Sequence, residues 1–289
     1  MHQTAYTHGH HESVLRSHAW RTAENSAGYL LPVLRSGSSV LDVGSGPGTI
    51  TADLAGRVAP GRVTAMEVTE SALELTRREV KRRRLNNVDL VIGDVHAMEF
   101  ADAAFDVVHA HQVLQHVADP VAALREMGRV CSPEGVVAAR DSDYAAFTWF
   151  PSMPALDDWM VLYQKVSRGN GGEPDAGRRL LSWARRAGFT DITASSSTWT
   201  FATPEDRQWW AGMWADRITS SQIAITAVGR RLATLDDLQR IADGWRTWAT
   251  APDGWMSILH GEILCRRARN GRGDERHAIG EPSSDPHVS

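Results

Sequence analysis

A short apolar run that ends in three closely spaced glycines sets the strongest limit on the fold. Ser39 to Val43 leads into Gly44-Ser45-Gly46-Pro47-Gly48, and helix-forming residues follow through Leu54 and Arg57. Glycines at the end of a strand let the backbone turn sharply and approach a ligand closely. The helix that begins there offers free N–H groups and a partial positive charge. The segment therefore predicts the first strand, loop and helix of an alternating α/β domain, with a ligand site at the strand's carboxyl end.

The rest of the first half repeats the alternation. Arg62 to Glu67 reads as a second strand, and Thr69 or Ser71 can cap a helix that runs to Arg84. Asp89 to Gly93 and Ala104 to Ala110 read as the third and fourth strands. Asp119-Pro120 opens a helix through Val130, and Val136 to Ala139 or slightly beyond is a fifth strand. Short apolar runs separated by helices imply a mostly parallel, doubly wound sheet covered on both faces.

Before the first strand, Ser13 to Leu34 is expected to be helical and is read with residues 1–35 as an N-terminal helical lid. The second half carries ten of the eleven tryptophans, at or after Trp149. Helices are expected over Leu156 to Val166 and Ala176 to Ala187, a Thr- and Ser-rich strand over 189–203, helices over 204–250 and a final strand from Trp255 to Cys265. The boundaries are a main domain over 36–269, with helical insertions at about 148–187 and 204–250, and a tail over 270–289 whose Gly, Pro, Ser and charge predict disorder.

Composition excludes several classes of function. The net charge is −4, from 31 basic and 35 acidic residues, without the clustered positive excess of a nucleic-acid binder. The basic run Lys81 to Arg84 falls at a helix end, where cations complement the helix dipole. No apolar stretch approaches the ~20 residues of a membrane span. Cys131 and Cys265 lack metal-ligand neighbours and read as free thiols in a cytoplasmic protein. His2, His8, His10, His11 and His18 have no acidic or cysteine partner set, so they read as part of the N-terminal segment and no metal site is expected.

The ligand follows from the loop spacing. A dinucleotide fingerprint requires a third glycine where Thr49 stands. Asp42, two residues ahead of Gly44, would repel a pyrophosphate and suits a ligand bearing an ammonium group, such as the methionine part of S-adenosylmethionine. Glu67 ends the second strand, where a carboxylate can accept both ribose hydroxyls. Asp94, after the third strand in Gly93-Asp94-Val95, can accept from an adenine amino group.

Together with Phe105-Asp106-Val107-Val108 and the run His111 to His116, these residues resemble a class I S-adenosylmethionine-dependent methyltransferase. The resemblance is to the type seen in ubiquinone and menaquinone biosynthesis and in natural-product pathways. It implies a Rossmann-like sheet of seven strands with the last one reversed, and S-adenosylmethionine as cofactor. It assigns Asp42, Gly44, Ser45, Gly46, Gly48, Glu67, Gly93, Asp94, Val95, His111 and Gln112 to cofactor binding.

In-line displacement from a sulfonium needs positioning and exclusion of water more than a fixed base. His111, His116 and Asp141 are candidates to orient or deprotonate an acceptor, although loop hydrogen bonding accounts equally for His116 and loop capping also accounts for Asp141. Tyr29, Tyr144, Trp149, Trp209, Trp210 and Trp214 are the candidate acceptor pocket, with core packing as the alternative. Arg21 can reach the cofactor carboxylate or make a surface ion pair. The expected partner is a small-molecule acceptor, with no nucleic acid or membrane, and the expected state is a monomer or homodimer. The alternative is a protein of this fold that binds the cofactor and promotes a non-methylating reaction such as a cyclisation.

Overall fold

The computed structural model describes residues 20–266; the expectations for residues 1–19 and for the 270–289 tail lie outside the described residues. The alternating half folds as expected. Strands β1 (Val40–Val43), β2 (Val63–Glu67), β3 (Val88–Ile92), β4 (Phe105–His111) and β5 (Cys131–Ser142) form a parallel sheet in the order β3-β2-β1-β4-β5. All four residues of β1 are buried, as a strand covered on both faces must be.

Three of the four described helices of the first half start where a short polar side chain satisfies a first-turn N–H group, and the second follows Gly48, which has no side chain to cap it. Helix α1 is Ala23–Ser26, α2 is Thr49–Val58, α3 is Glu70–Arg83 and α4 is Pro120–Val130. Thr69 caps α3 through the Ala72 N–H, and Asp119 caps α4 through Ala122. The basic run at the end of α3 is largely solvated, with Arg82 and Arg83 paired to Glu79.

The second half holds β6 (Thr148–Phe150), α5 (Pro154–Gly169), α6 (Leu180–Ala187), β7 (Asp191–Phe201), α7 (Pro204–Ser220), α8 (Gln222–Gly229), α9 (Leu235–Ala249) and β8 (Trp255–Arg266). β8 runs antiparallel between β5 and β7, the reversed last strand. β6 is an added strand inside the segment read as wholly helical. Its three residues pair with Trp255 to Ser257 and continue the edge that β5 occupies further along β8. Three residues are too few to show an alternating pattern.

Two cores flank the sheet. One packs Leu41, Val43, Val108 and Ala110 against α4 and α6; the other packs Val40, Val107 and Ala138 against α2 and Leu30. A third cluster joins α5, α7, α8 and α9 to the end of β7 and the start of β8. It therefore stands beside the carboxyl edge of β5, where the candidate site lies.

The N-terminal segment departs from the expected helix. From Trp20 onward it holds only α1 and a 3-10 turn at Leu31–Val33. The carbonyl of Asn25, which would accept from Tyr29 in a continued helix, accepts the Trp199 indole N–H at 2.7 Å. The chain then turns so that Leu30 is fully buried against the sheet.

Candidate active site

Gly44, Gly46 and Gly48 have φ of 68°, 56° and 79°, in the left-handed region that glycine alone enters freely. Two of them are also packed. A Cβ on Gly44 would lie 2.5 Å from Val113, and one on Gly48 would lie 2.8 Å from Thr76. A Cβ on Gly46 would meet nothing within 4 Å, so this glycine leaves open space above the loop. The hydroxyl of Thr76 donates to the Gly46 carbonyl at 2.8 Å and pins the loop to α3.

The three acids occupy successive strand ends but have different surroundings. Asp42 is buried beneath the loop, where it accepts from Thr51 Oγ1 at 2.6 Å and meets His109 Nδ1 at 2.8 Å. Glu67 is half-buried at the rim and accepts the Gly46 N–H at 2.7 Å. Asp94 is exposed and accepts from the His96 N–H and ring at 2.9 and 2.8 Å. Although partial burial opposes it, those bonds hold the Asp94 carboxyl below the usual carboxylate range. Gly93 packs against Met66, and Val95 is buried below the same edge.

The segment after β4 closes the site from the other side. Gln112 has φ 54°, which costs a residue with a side chain about 1 kcal/mol. Its bonds offset that cost. The Gln112 N–H donates to the Arg140 carbonyl at 2.7 Å, and Oε1 accepts from Arg21 at 2.7 Å. With Oε1 so engaged, Nε2 donates to His260 Nε2 at 2.9 Å. One side chain thus ties the N-terminal segment to β8.

Asp141 is fully buried and accepts the Gln115 N–H at 3.1 Å, while Oδ2 has no hydrogen-bond partner among the described residues. Burial pushes its carboxyl up to about 7 against the bonds from Gln115 and Leu114. Ser142 donates to Gln115 Oε1 at 2.5 Å, so the Gln115 amide nitrogen donates to His116 Nε2 at 3.0 Å. Burial, helped by Arg21, lowers His116 to about 3. His111 is buried and is held well below the usual imidazole range by burial, then by Arg21 and Arg140. Neither of its ring nitrogens has a partner among the described residues. Asp143, beside these candidates, is committed to a bidentate pair with Arg178 at 2.6 Å.

The aromatic candidates separate into two groups. Trp214 is sealed in the third cluster, 4.6 Å from Trp159 and 4.7 Å from the Arg217 guanidinium. Trp210 is buried and stacks on Phe201 at 4.4 Å, and Tyr144 stacks between Tyr163 and Phe147 at 3.9 and 4.4 Å. Trp149 is half-buried against Trp159. Trp209 is half-buried and faces Trp20 of the N-terminal segment at 5.6 Å. Tyr29 lies against the sheet face itself.

Apart from His111, sequence reading passed over a polar belt on that face. His109 and His111 of β4, Arg140 of β5, His260 and Glu262 of β8 and Trp199 of β7 lie on one side of the sheet, as their pairing registers require. Arg140 donates to Glu262 at 3.2 Å and lies 5.0 Å from the centre of the Trp199 ring. The signal that could have found it is a charged side chain inside an apolar strand run: Arg140 follows Val136 to Ala139 directly.

Comparison with known proteins bears on the family and the fold. A family model described as a methyltransferase domain matches residues 34–188. An uncharacterized methyltransferase of Schizosaccharomyces pombe is 33% identical over 275 residues, covering 92% of this chain and 97% of that protein. A demethylmenaquinone methyltransferase of Staphylococcus aureus is 36% identical over 133 residues, 46% of this chain and 52% of that protein. Among solved structures, a putative methyltransferase of Bacillus halodurans superposes with a TM-score of 0.54 at 20% identity, over 83% of this chain and 98% of that one. At that identity the likeness concerns the fold.

Proposed function

From the premise that this chain belongs to the methyltransferase-domain family, we propose that it moves the methyl group of S-adenosylmethionine onto a small-molecule acceptor. The observation that carries the reading is the glycine cradle: Gly46 opens onto free space beside Glu67, while Gly44 and Gly48 are packed from behind. Bound S-adenosylmethionine supplies a methyl group already activated on a sulfonium.

The chain's own residues position and enclose. Gly44 to Gly48 accommodate the methionine part of the donor at the start of α2. Glu67 accepts from ribose hydroxyls and Asp94 from the adenine amino group, with Gly93 and Val95 shaping that edge. Asp42 contributes negative charge beneath the loop, and His111 and Gln112 line the opposite wall. Of the segment read as a lid, the described part from Trp20 serves that role, with Arg21 and Trp20 meeting the sheet and the insertion. Asp141 is the candidate acceptor base on this reading, with Oδ2 left unpartnered among the described residues and a carboxyl that burial pushes up to about 7. His111 and His116 orient the acceptor as neutral imidazoles. The acceptor body fits the aromatic boundary at Trp209 and Trp149, and Tyr144, Trp210 and Trp214 support that boundary from within.

The reading includes a cytoplasmic enzyme, a monomer or homodimer, that acts on a free metabolite and not on nucleic acid. Two buried free thiols and a net charge of −4 support it. Among the described residues no helix is long and apolar enough to cross a membrane.

The test is incubation of the purified protein with isotopically labelled S-adenosylmethionine and a metabolite extract, read by mass. Products heavier by one labelled methyl group support the reading. Tight cofactor binding with conversion but no mass gain favours the cyclisation alternative. Tighter binding of NAD than of S-adenosylmethionine rejects both.

A further inference from the structure

We propose that the acceptor carries an oxyanion, a carboxylate attached to an aromatic body, and that Arg140, Tyr29 and His111 receive it. This deepens the methyltransferase reading and rests on it. The three residues converge on one sheet face. His111, Arg140 and Glu262 are aligned across β4, β5 and β8, and Tyr29 comes down from the N-terminal segment onto the core cluster that holds Val107 and Ala138 on the same face.

Each presents polar atoms that no other described residue uses. Arg140 is 1% exposed and spends Nε on Glu262 and Ser197 and one terminal nitrogen on Ser197. Its Nη1 is buried without a partner among the described residues, as are the Tyr29 hydroxyl and both ring nitrogens of His111. A buried polar group with no partner costs about 1–3 kcal/mol, so four such atoms on one face are costly unless something binds there. The guanidinium, the phenol and the N–H of a neutral imidazole are all donors. A carboxylate, which only accepts, satisfies the three at once, and bonds to an ionised acceptor are the strongest available.

The aromatic part follows from the wall beside these donors. The Trp199 ring lies 5.0 Å from the Arg140 guanidinium and 5.9 Å from His111. Trp20 meets Trp199 edge-on at 5.2 Å and Trp209 at 5.6 Å, so the aromatic surface continues toward the insertion. Flat rings gain from such edges and faces.

The experiment uses full-length protein and calorimetry. S-adenosylhomocysteine is titrated first. Benzoate and its neutral isostere benzamide are then titrated into the saturated protein. Benzoate should bind at least about tenfold more tightly than benzamide, as loss of one charge-assisted bond set predicts. Tyr29→Phe should lower the benzoate affinity about threefold to tenfold, and Arg140→Gln should bring the two ligands to parity, with S-adenosylhomocysteine affinity unchanged in both. The phenol variant removes one oxygen and keeps the test valid should the arginine variant fail to fold. Equal binding of the two ligands, no binding of either, or benzoate affinity unchanged in Tyr29→Phe overturns the inference and leaves the methyltransferase reading standing. A matching fall in S-adenosylhomocysteine affinity in the variants also overturns it, because the donors would then serve the cofactor's own carboxylate. Failure of the wild-type protein to bind S-adenosylhomocysteine overturns the methyltransferase reading and this inference with it.

Discussion

The N–H of Gly46 donates to Oε1 of Glu67 at 2.7 Å, so the residue proposed to read the ribose also holds the glycine loop in shape. Glu67→Ala should therefore weaken S-adenosylmethionine binding about tenfold to a hundredfold, from about 1.5–3 kcal/mol of charge-assisted bonding. Glu67→Gln keeps an acceptor for Gly46 and should lose less. Calorimetry on both variants, with circular dichroism as a check on folding, decides it. Equal losses would show that charge and not loop anchoring is at stake.

Asp141 gives a stability prediction with a definite sign. Its carboxyl is pushed from an ordinary value of 3.8 up to about 7 by burial. Between those values the folded protein binds more protons than the unfolded chain, so its contribution to stability falls as pH rises from about 4 to about 7 and is constant above that. Asp141→Asn removes the titration. Its stability relative to wild type should increase across that window, as read from urea midpoints at pH 5 and pH 8. If Asp141 also accepts the acceptor's proton, kcat should rise through an inflection near pH 7 in wild type and lose both rate and inflection in the variant.

His111, His116 and His260 should not titrate in the physiological range. Burial is the first cause for all three, and it places His116 at about 3 and the other two well below the ordinary 6.5. Nitrogen-15 spectra of the imidazoles should show these three unchanged from pH 5 to pH 8. Movement of the His116 signal near pH 6.5 would show that the ring is solvated and would remove the argument for its neutral role.

Trp209 and Trp214 should part company on truncation. Trp214 is fully buried, and replacing such a ring by Ala costs about 3–5 kcal/mol. Trp209 is half-buried and its partner Trp20 belongs to the N-terminal segment. Trp209→Ala should change the urea midpoint little and raise KM for the acceptor. An unchanged KM would place Trp209 outside the acceptor site.

The Gln112 side chain offers a test of the lid. It joins Arg21 to His260, and Gln112→Leu keeps its bulk while removing both bonds. Proteolysis within residues 20–30 should accelerate in the variant, and turnover should fall with it. Faster cleavage with unchanged turnover would separate the lid from catalysis.

The sequence by itself determined the parallel half, the glycine loop and the order of acids along the carboxyl edge. These rest on local rules: side-chain alternation, capping by Thr69 and Asp119, and left-handed backbone that glycine tolerates at positions 44, 46 and 48. The tertiary structure alone decided what the second half does. Whether Trp210 and Trp214 face a core or a pocket depends on how α7 meets α5 and α9, and helical periodicity records only that a face is apolar. The N-terminal helix ends early because the Trp199 indole, distant in the chain, takes the Asn25 carbonyl. The polar belt arises where β8 runs back between β5 and β7, which brings Glu262 and His260 beside Arg140 and Ser142. No local pattern encodes that register, because its cause is pairing across more than a hundred residues.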